Sequence, residues 1–152
     1  MKRFLVILFS LFLAVAASGQ SVNPAYNKAL ADSLGADDYG MKMYVLVLLK
    51  TGSNTTASKE VTDSLFKGHM ANIGRLAAEN KLVVAGPLQK NDKNYRGIFI
   101  LNVKTKEEAL VLLQTDPAIK QKLLDAELYP WYGSAALPVY LKTHDQVQKL
   151  NF

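Results

Sequence analysis

The sequence predicts an α+β domain with the element order β-α-β-β-α-β: a four-stranded antiparallel sheet carrying two helices on one face. Three observations predict it. Residues 42–49 (KMYVLVLL) and 97–103 (GIFILNV) are apolar at nearly every position, as in strands buried on both faces. Residues 56–80, between them, place apolar side chains at helical spacing. Two shorter β-like runs, 82–85 and 126–132, each follow a helix signal.

The elements follow in order. Met1-Lys2-Arg3 is a basic start, residues 4–17 are an apolar run, and Ala16, Ala17, Ser18 and Gly19 are small. This is the layout of a secretory signal, cleaved after Ala17 or Gly19. The run is shorter than the roughly 20 apolar residues a spanning helix takes. Residues 1–19 are therefore expected to be removed, leaving a periplasmic or secreted protein with no stable membrane anchor. Residues 20–41 form a helical extension: Asn23-Pro24 reads as an N-cap with proline at the first helical position, and Gly35 ends the helix. Asp37-Asp38 sits in a turn-rich joint, where it either serves a site or lines a solvated loop; calcium-loop spacing is missing.

The main domain spans residues 42–133 and a tail spans 134–152. The helix at 56–80 follows the first strand, and its apolar arc holds Val61, Leu65, Phe66, Ile73, Leu76 and Ala77. The second strand stops at Gly86-Pro87, and a polar link (QKNDKNYR) joins it to the third as a hairpin. Thr105 and Glu108 make a capping box, which opens a helix over 106–114 with Ala109, Leu110 and Leu113 on one side. Asp116-Pro117 starts a further helical turn, expected to run to Leu124. The fourth strand contains Pro130, which cannot donate to a ladder and so belongs at a sheet edge. The tail shows helical tendency around residues 146–150.

This order is the ferredoxin-like split motif, whose first and third strands are central. The two longest apolar runs occupy those places. Two helices cover only one face of the sheet, whereas the central strands are apolar on both. A bare second face would expose several hundred Å² of apolar surface. The expectation is a homodimer packed through that open face, or a lid formed by the tail.

Composition narrows the function classes. Apolar residues make up 49% and charged residues 20%, which marks a globular chain. The formal charge of +5 includes Lys2 and Arg3 and is too mild to argue for nucleic acid. Cysteine is absent, which excludes disulfides, thiolate metal sites and cysteine nucleophiles. Glycine-rich phosphate loops and His-x-x-x-His pairs are also missing, so neither a cofactor nor a metal is expected.

His69 falls near the middle of the apolar arc, between Leu65 and Ile73. An inward imidazole must find partners for its nitrogens. Two readings are open: a core histidine bonded to a backbone carbonyl, or a general acid or base. Asp116 has two compatible readings, since one carboxylate oxygen can cap the following turn while the other faces His69. Gly86 and Pro87 either approach a ligand with bare backbone or simply turn the chain. Lys90, Lys93 and Arg96 either meet an anionic substrate or decorate a solvated tip. Trp131 and Tyr132 either wall a pocket or fill an interface.

Gly68-His69-Met70-Ala71-Asn72-Ile73-Gly74-Arg75-Leu76, Lys81-Leu82-Val83-Val84-Ala85-Gly86-Pro87, Arg96-Gly97-Ile98-Phe99 and Thr115-Asp116-Pro117-Ala118 resemble the YCII-related domain family over residues 43–132. The resemblance implies a ferredoxin-like fold of the dimeric α/β-barrel type. It implies a His–Asp pair in an active site, carried here by His69 and Asp116. The expected function is cofactor-independent acid–base chemistry, elimination or isomerisation, on a small organic molecule. Gly86, Pro87, Arg96 and Trp131 are the expected substrate contacts. The alternative is a non-catalytic periplasmic binding or accessory protein that uses the same pocket.

Overall fold

A computed structural model describes residues 23–150. The expected signal, residues 1–19, lies outside the described residues. In chain order the elements are α1 (Lys28–Leu34), β1 (Met41–Thr51), α2 (Lys59–Ala78), β2 (Leu82–Pro87), β3 (Tyr95–Leu101), α3 (Lys106–Leu113), α4 (Pro117–Lys120), β4 (Leu124–Ser134), a 3-10 turn (Leu137–Tyr140) and α5 (Leu141–Val147). The strands form one four-stranded antiparallel sheet in the order β2-β3-β1-β4. This is the ferredoxin-like split arrangement. The two strongly apolar strands are central, and β4 with Pro130 is an edge.

Alternation along the strands sorts their side chains between the two faces. Val45, Val47 and Leu49 of β1 share the helix-covered face with Phe99 and Leu101 of β3. Leu76 of α2, Ala109 and Leu113 of α3, and Ala118 and Ile119 of α4 close over them. Each buried aliphatic side chain is worth roughly 1.5–3 kcal/mol of removal from water, so this layer is what fixes the helices on the sheet.

Five local details differ from the sequence reading. Asn23 closes a turn, its side chain accepting from the Ala25 amide, while Asn27 caps α1 by accepting from Leu30. Either asparagine has cap chemistry, and the one nearer the helix takes the role. The turn opened by Asp116 ends at Lys120, because Lys122 adopts a left-handed φ of 60° that reverses the chain into β4. Leu110 is exposed; the buried stripe of α3 runs through Ala109, Leu112 and Leu113, at helical spacing. The tail helix is α5, earlier than expected, and it continues a 3-10 turn whose start Pro138 suits. Val61, in the first turn of α2, is also exposed.

The second sheet face carries Tyr44, Leu46 and Leu48 beside Ile98 and Ile100. One end of it is closed. Tyr44 is wholly buried, packs at a tilt on Trp131 with ring centroids 5.7 Å apart, and donates its hydroxyl to the Ser134 carbonyl at 2.8 Å. Nearby, the Tyr140 hydroxyl of the tail donates to the Val83 carbonyl. The other end is polar: Glu127 accepts from Lys50 at 2.9 Å and from the Tyr129 hydroxyl at 3.0 Å. Lys50, and then Tyr129, hold the Glu127 carboxyl below its ordinary range. Leu46, Leu48, Ile98 and Ile100 lie between these ends, half-buried. Among the described residues no helix is long and apolar enough to cross a membrane.

Candidate active site

The site forms where α2 passes the joint between α3 and α4. The 20 residues of α2 are capped by Ser58, whose side chain accepts from the Val61 amide. Its buried residues are His69, Asn72 and Leu76, spaced three and four apart on one face. Gly68 lets the joint approach. A Cβ on Gly68 would stand 2.5 Å from Cγ of Pro117, so only a bare backbone admits the proline ring there.

That approach brings Asp116 to His69. Nδ1 of His69 lies 2.6 Å from Oδ2 of Asp116. The other carboxylate oxygen, Oδ1, accepts from the Ala118 amide at 2.9 Å and from the Ile119 amide at 3.4 Å. The two roles open to Asp116 are therefore both filled, one by each oxygen. Asp116 is wholly buried and His69 is 7% exposed. Phe66 meets the imidazole edge-on at 6.0 Å and Phe99 stacks on it at 5.8 Å. Packing thus sets the plane of the ring, and the carboxylate sets which edge faces inward.

The chemistry follows from the inventory of donors. A carboxylate only accepts, so Nδ1 carries the proton and donates it to Oδ2. That leaves Nε2 as the lone-pair nitrogen. Nε2 has no partner among the described residues, and these contain no sealed polar side-chain atom lacking one. It therefore reaches solvent through a narrow opening. A neutral imidazole fixed in this tautomer is suited to take a proton at Nε2 and hand it back.

A second polar cluster pins the same joint. Asn72 Oδ1 accepts from Arg75 Nη2 at 2.8 Å and lies 2.9 Å from the Thr115 hydroxyl. Arg75 also donates to Thr115 at 2.8 Å, while its Nη1 pairs with Glu79. Helix α2 is thereby tied to the residue just before Asp116. Sequence patterning assigned these three residues no role. The available signal was Asn72 itself, an amide on the inward arc three residues after His69.

The expected substrate contacts separate. Arg96 is an extra residue in β3: the register passes from Leu49 opposite Gly97 to Lys50 opposite Tyr95. Such a bulge re-aims a side chain. Here Arg96 lines a groove of about 270 Å³ together with Thr51, Thr55, Thr62, Phe66 and Leu123. Phe66 is shared by this groove and the His69 ring contact. Gly86 and Pro87 lie in edge strand β2 opposite Ile98 and Gly97, with no hydrogen bond to the pair. Trp131 packs on Tyr44, on the sheet face turned away from His69, so it does not wall this site in its own protomer. The Asp37 carboxylate closes its own loop by accepting from the Tyr39 and Met41 amides. It also accepts from the Tyr132 hydroxyl, the main cause of a lowered pKa at Asp37.

No curated protein sequence matches the chain. Among solved structures, the 5-chloro-2-hydroxyhydroquinone dehydrochlorinase of Burkholderia phenoliruptrix AC1100, in complex with 2,5-dihydroxybenzoquinone, is 21% identical, with a TM-score of 0.42, over 57% of this chain and 92% of that one. The YCII-related domain matches residues 43–132, a span that holds the whole split motif except its outermost residues, and both His69 and Asp116. The chain belongs to the YCII-related domain family.

Proposed function

We propose that this protein is a cofactor-independent acid–base enzyme that eliminates from, or isomerises, a small organic molecule. One observation carries the reading: His69 Nδ1 sits 2.6 Å from a buried carboxylate while Nε2 is left open. In the reaction, Nε2 takes a proton from an activated C–H bond. The imidazolium then returns it to another carbon in an isomerisation, or to the leaving group in an elimination. Asp116 is the positioning residue, and its negative charge stabilises the transient imidazolium. Family membership supports a His–Asp pair in this role.

Screening activated carbon acids as substrates tests the reading. His69→Ala should lower kcat by about 10²–10⁴-fold, the usual contribution of a positioned acid–base group. Equal turnover of every hit by wild type and His69→Ala would remove the catalytic role. The second reading, a protein that holds a ligand without turning it over, is favoured by the narrow access to His69. It is expected to give binding hits with no turnover in the same screen.

We also propose that the protein is exported and assembles as a homodimer. The basic start and apolar run of residues 1–19 support action outside the cytoplasm. The half-buried Leu46, Leu48, Ile98 and Ile100 support a homodimer through the second sheet face, with the tail covering one end of that face. Light scattering of the mature protein should give twice the chain mass, and Leu46→Glu should halve it. A wild-type monomer would contradict the dimer.

A further inference from the structure

We infer that the groove at Arg96 binds the anionic group of a small organic acid, and that this acid is the substrate class of the site. The inference rests on the reading of His69 as the proton-moving group. The groove itself is a separate observation.

Arg96 is the cation of this groove, and its lining contains no carboxylate. The guanidinium has no acidic partner among the described residues. By contrast, Arg75 is engaged by Glu79 and Lys50 by Glu127. The bulge that inserts Arg96 between Tyr95 and Gly97 is what directs it here rather than onto either regular face of the sheet. A planar guanidinium matches a carboxylate with two parallel hydrogen bonds. Thr51, Thr55 and Thr62 add hydroxyl donors, and Thr62 lies in the first turn of α2, where the helix dipole is positive. Phe66 and Leu123 supply the apolar wall a ring or short chain would need. About 270 Å³ is at the small end of ligand sites, which suits a molecule the size of benzoate. Phe66 lines the groove and meets the imidazole edge-on at 6.0 Å, so one ring is shared by the groove and the His69 site.

Benzoate and neutral benzamide, titrated into 15N-labelled protein, test the inference. Benzoate should shift the amides of Thr51, Thr55, Phe66 and Arg96 saturably, and benzamide should shift them far less. Arg96→Gln should weaken benzoate by about tenfold or more, and Arg96→Lys, which keeps the charge but loses the fork, by less. Both are exposed substitutions, and spectral dispersion verifies that each variant folds. A second groove, of about 200 Å³, is lined by Lys42 and Lys104 among others. Absent saturable shifts, shifts centred on that groove, or unchanged binding in Arg96→Gln would each overturn it. The two proposals fail separately. Loss of binding in Arg96→Gln, with full turnover kept in His69→Ala, would leave the anion site standing and remove the acid–base role. The reverse pattern would do the opposite.

Discussion

Asp116→Ala should cost the domain about 3 kcal/mol, and it should abolish any activity that depends on His69. The substitution removes an N-cap, worth about 1 kcal/mol. It also removes a buried hydrogen bond to a charged group, worth about 1.5–3 kcal/mol. Both losses fall at a wholly buried position, where no water replaces them without rearrangement. Urea unfolding measures the effect as a lowered midpoint with an unchanged slope. Asp116→Asn separates the two roles. Its amide oxygen can keep the cap on Ala118, while its NH₂ group faces Nδ1 and forces the imidazole proton to Nε2. Most of the stability should survive in this variant, and turnover should not. An Asp116→Ala protein within about 0.5 kcal/mol of wild type would show that the pair does not hold the joint.

Alanine at two glycines of the same helix should have opposite effects. At Gly68 the new Cβ meets Cγ of Pro117 at 2.5 Å, and a proline ring cannot swing aside. Helix α4 must lift from α2, carrying Asp116 away from His69. Overpacking of this kind costs about 1–3 kcal/mol, more than the roughly 1 kcal/mol that alanine gains over glycine in a helix. At Gly74 a Cβ meets nothing within 4 Å, so Gly74→Ala should stabilise by up to about 1 kcal/mol. Thermal unfolding of the two variants gives the signs, and the activity of Gly68→Ala should fall with its stability. A neutral Gly68→Ala would mean that Pro117 does not rest on α2.

Sequence legibility followed the range of the physics involved. The strand order was readable because the two central strands are apolar throughout and the edge strand carries Pro130. His69 was readable from helical periodicity, and Asp116 from cap chemistry, because both are local signals. Their meeting was suggested by topology and by family resemblance. What makes it possible, the missing Cβ at Gly68, is a tertiary contact with Pro117 that no local pattern encodes. Arg96 was noticed as a charge in a hairpin link, but its direction depends on a bulge in its pairing with β1. Trp131 was expected among the substrate contacts with its sheet face unassigned, and only its register opposite Tyr44 shows which face it takes. The clamp of Asn72, Arg75 and Thr115 joins residues some forty positions apart, beyond any spacing rule. The tail could be read as helical in tendency, yet its start is set by the 3-10 turn before it.

The tautomer of His69 is the quantity on which the proposed chemistry stands. A long-range 1H–15N correlation spectrum of histidine-labelled protein, at a pH where the ring is neutral, reads it without any substrate. The expected spectrum has the proton on Nδ1 and a bare Nε2 in wild type, with the pattern exchanged in Asp116→Asn. A wild-type imidazole with its proton on Nε2, or one indifferent to Asp116→Asn, would contradict the pairing and the acid–base chemistry built on it.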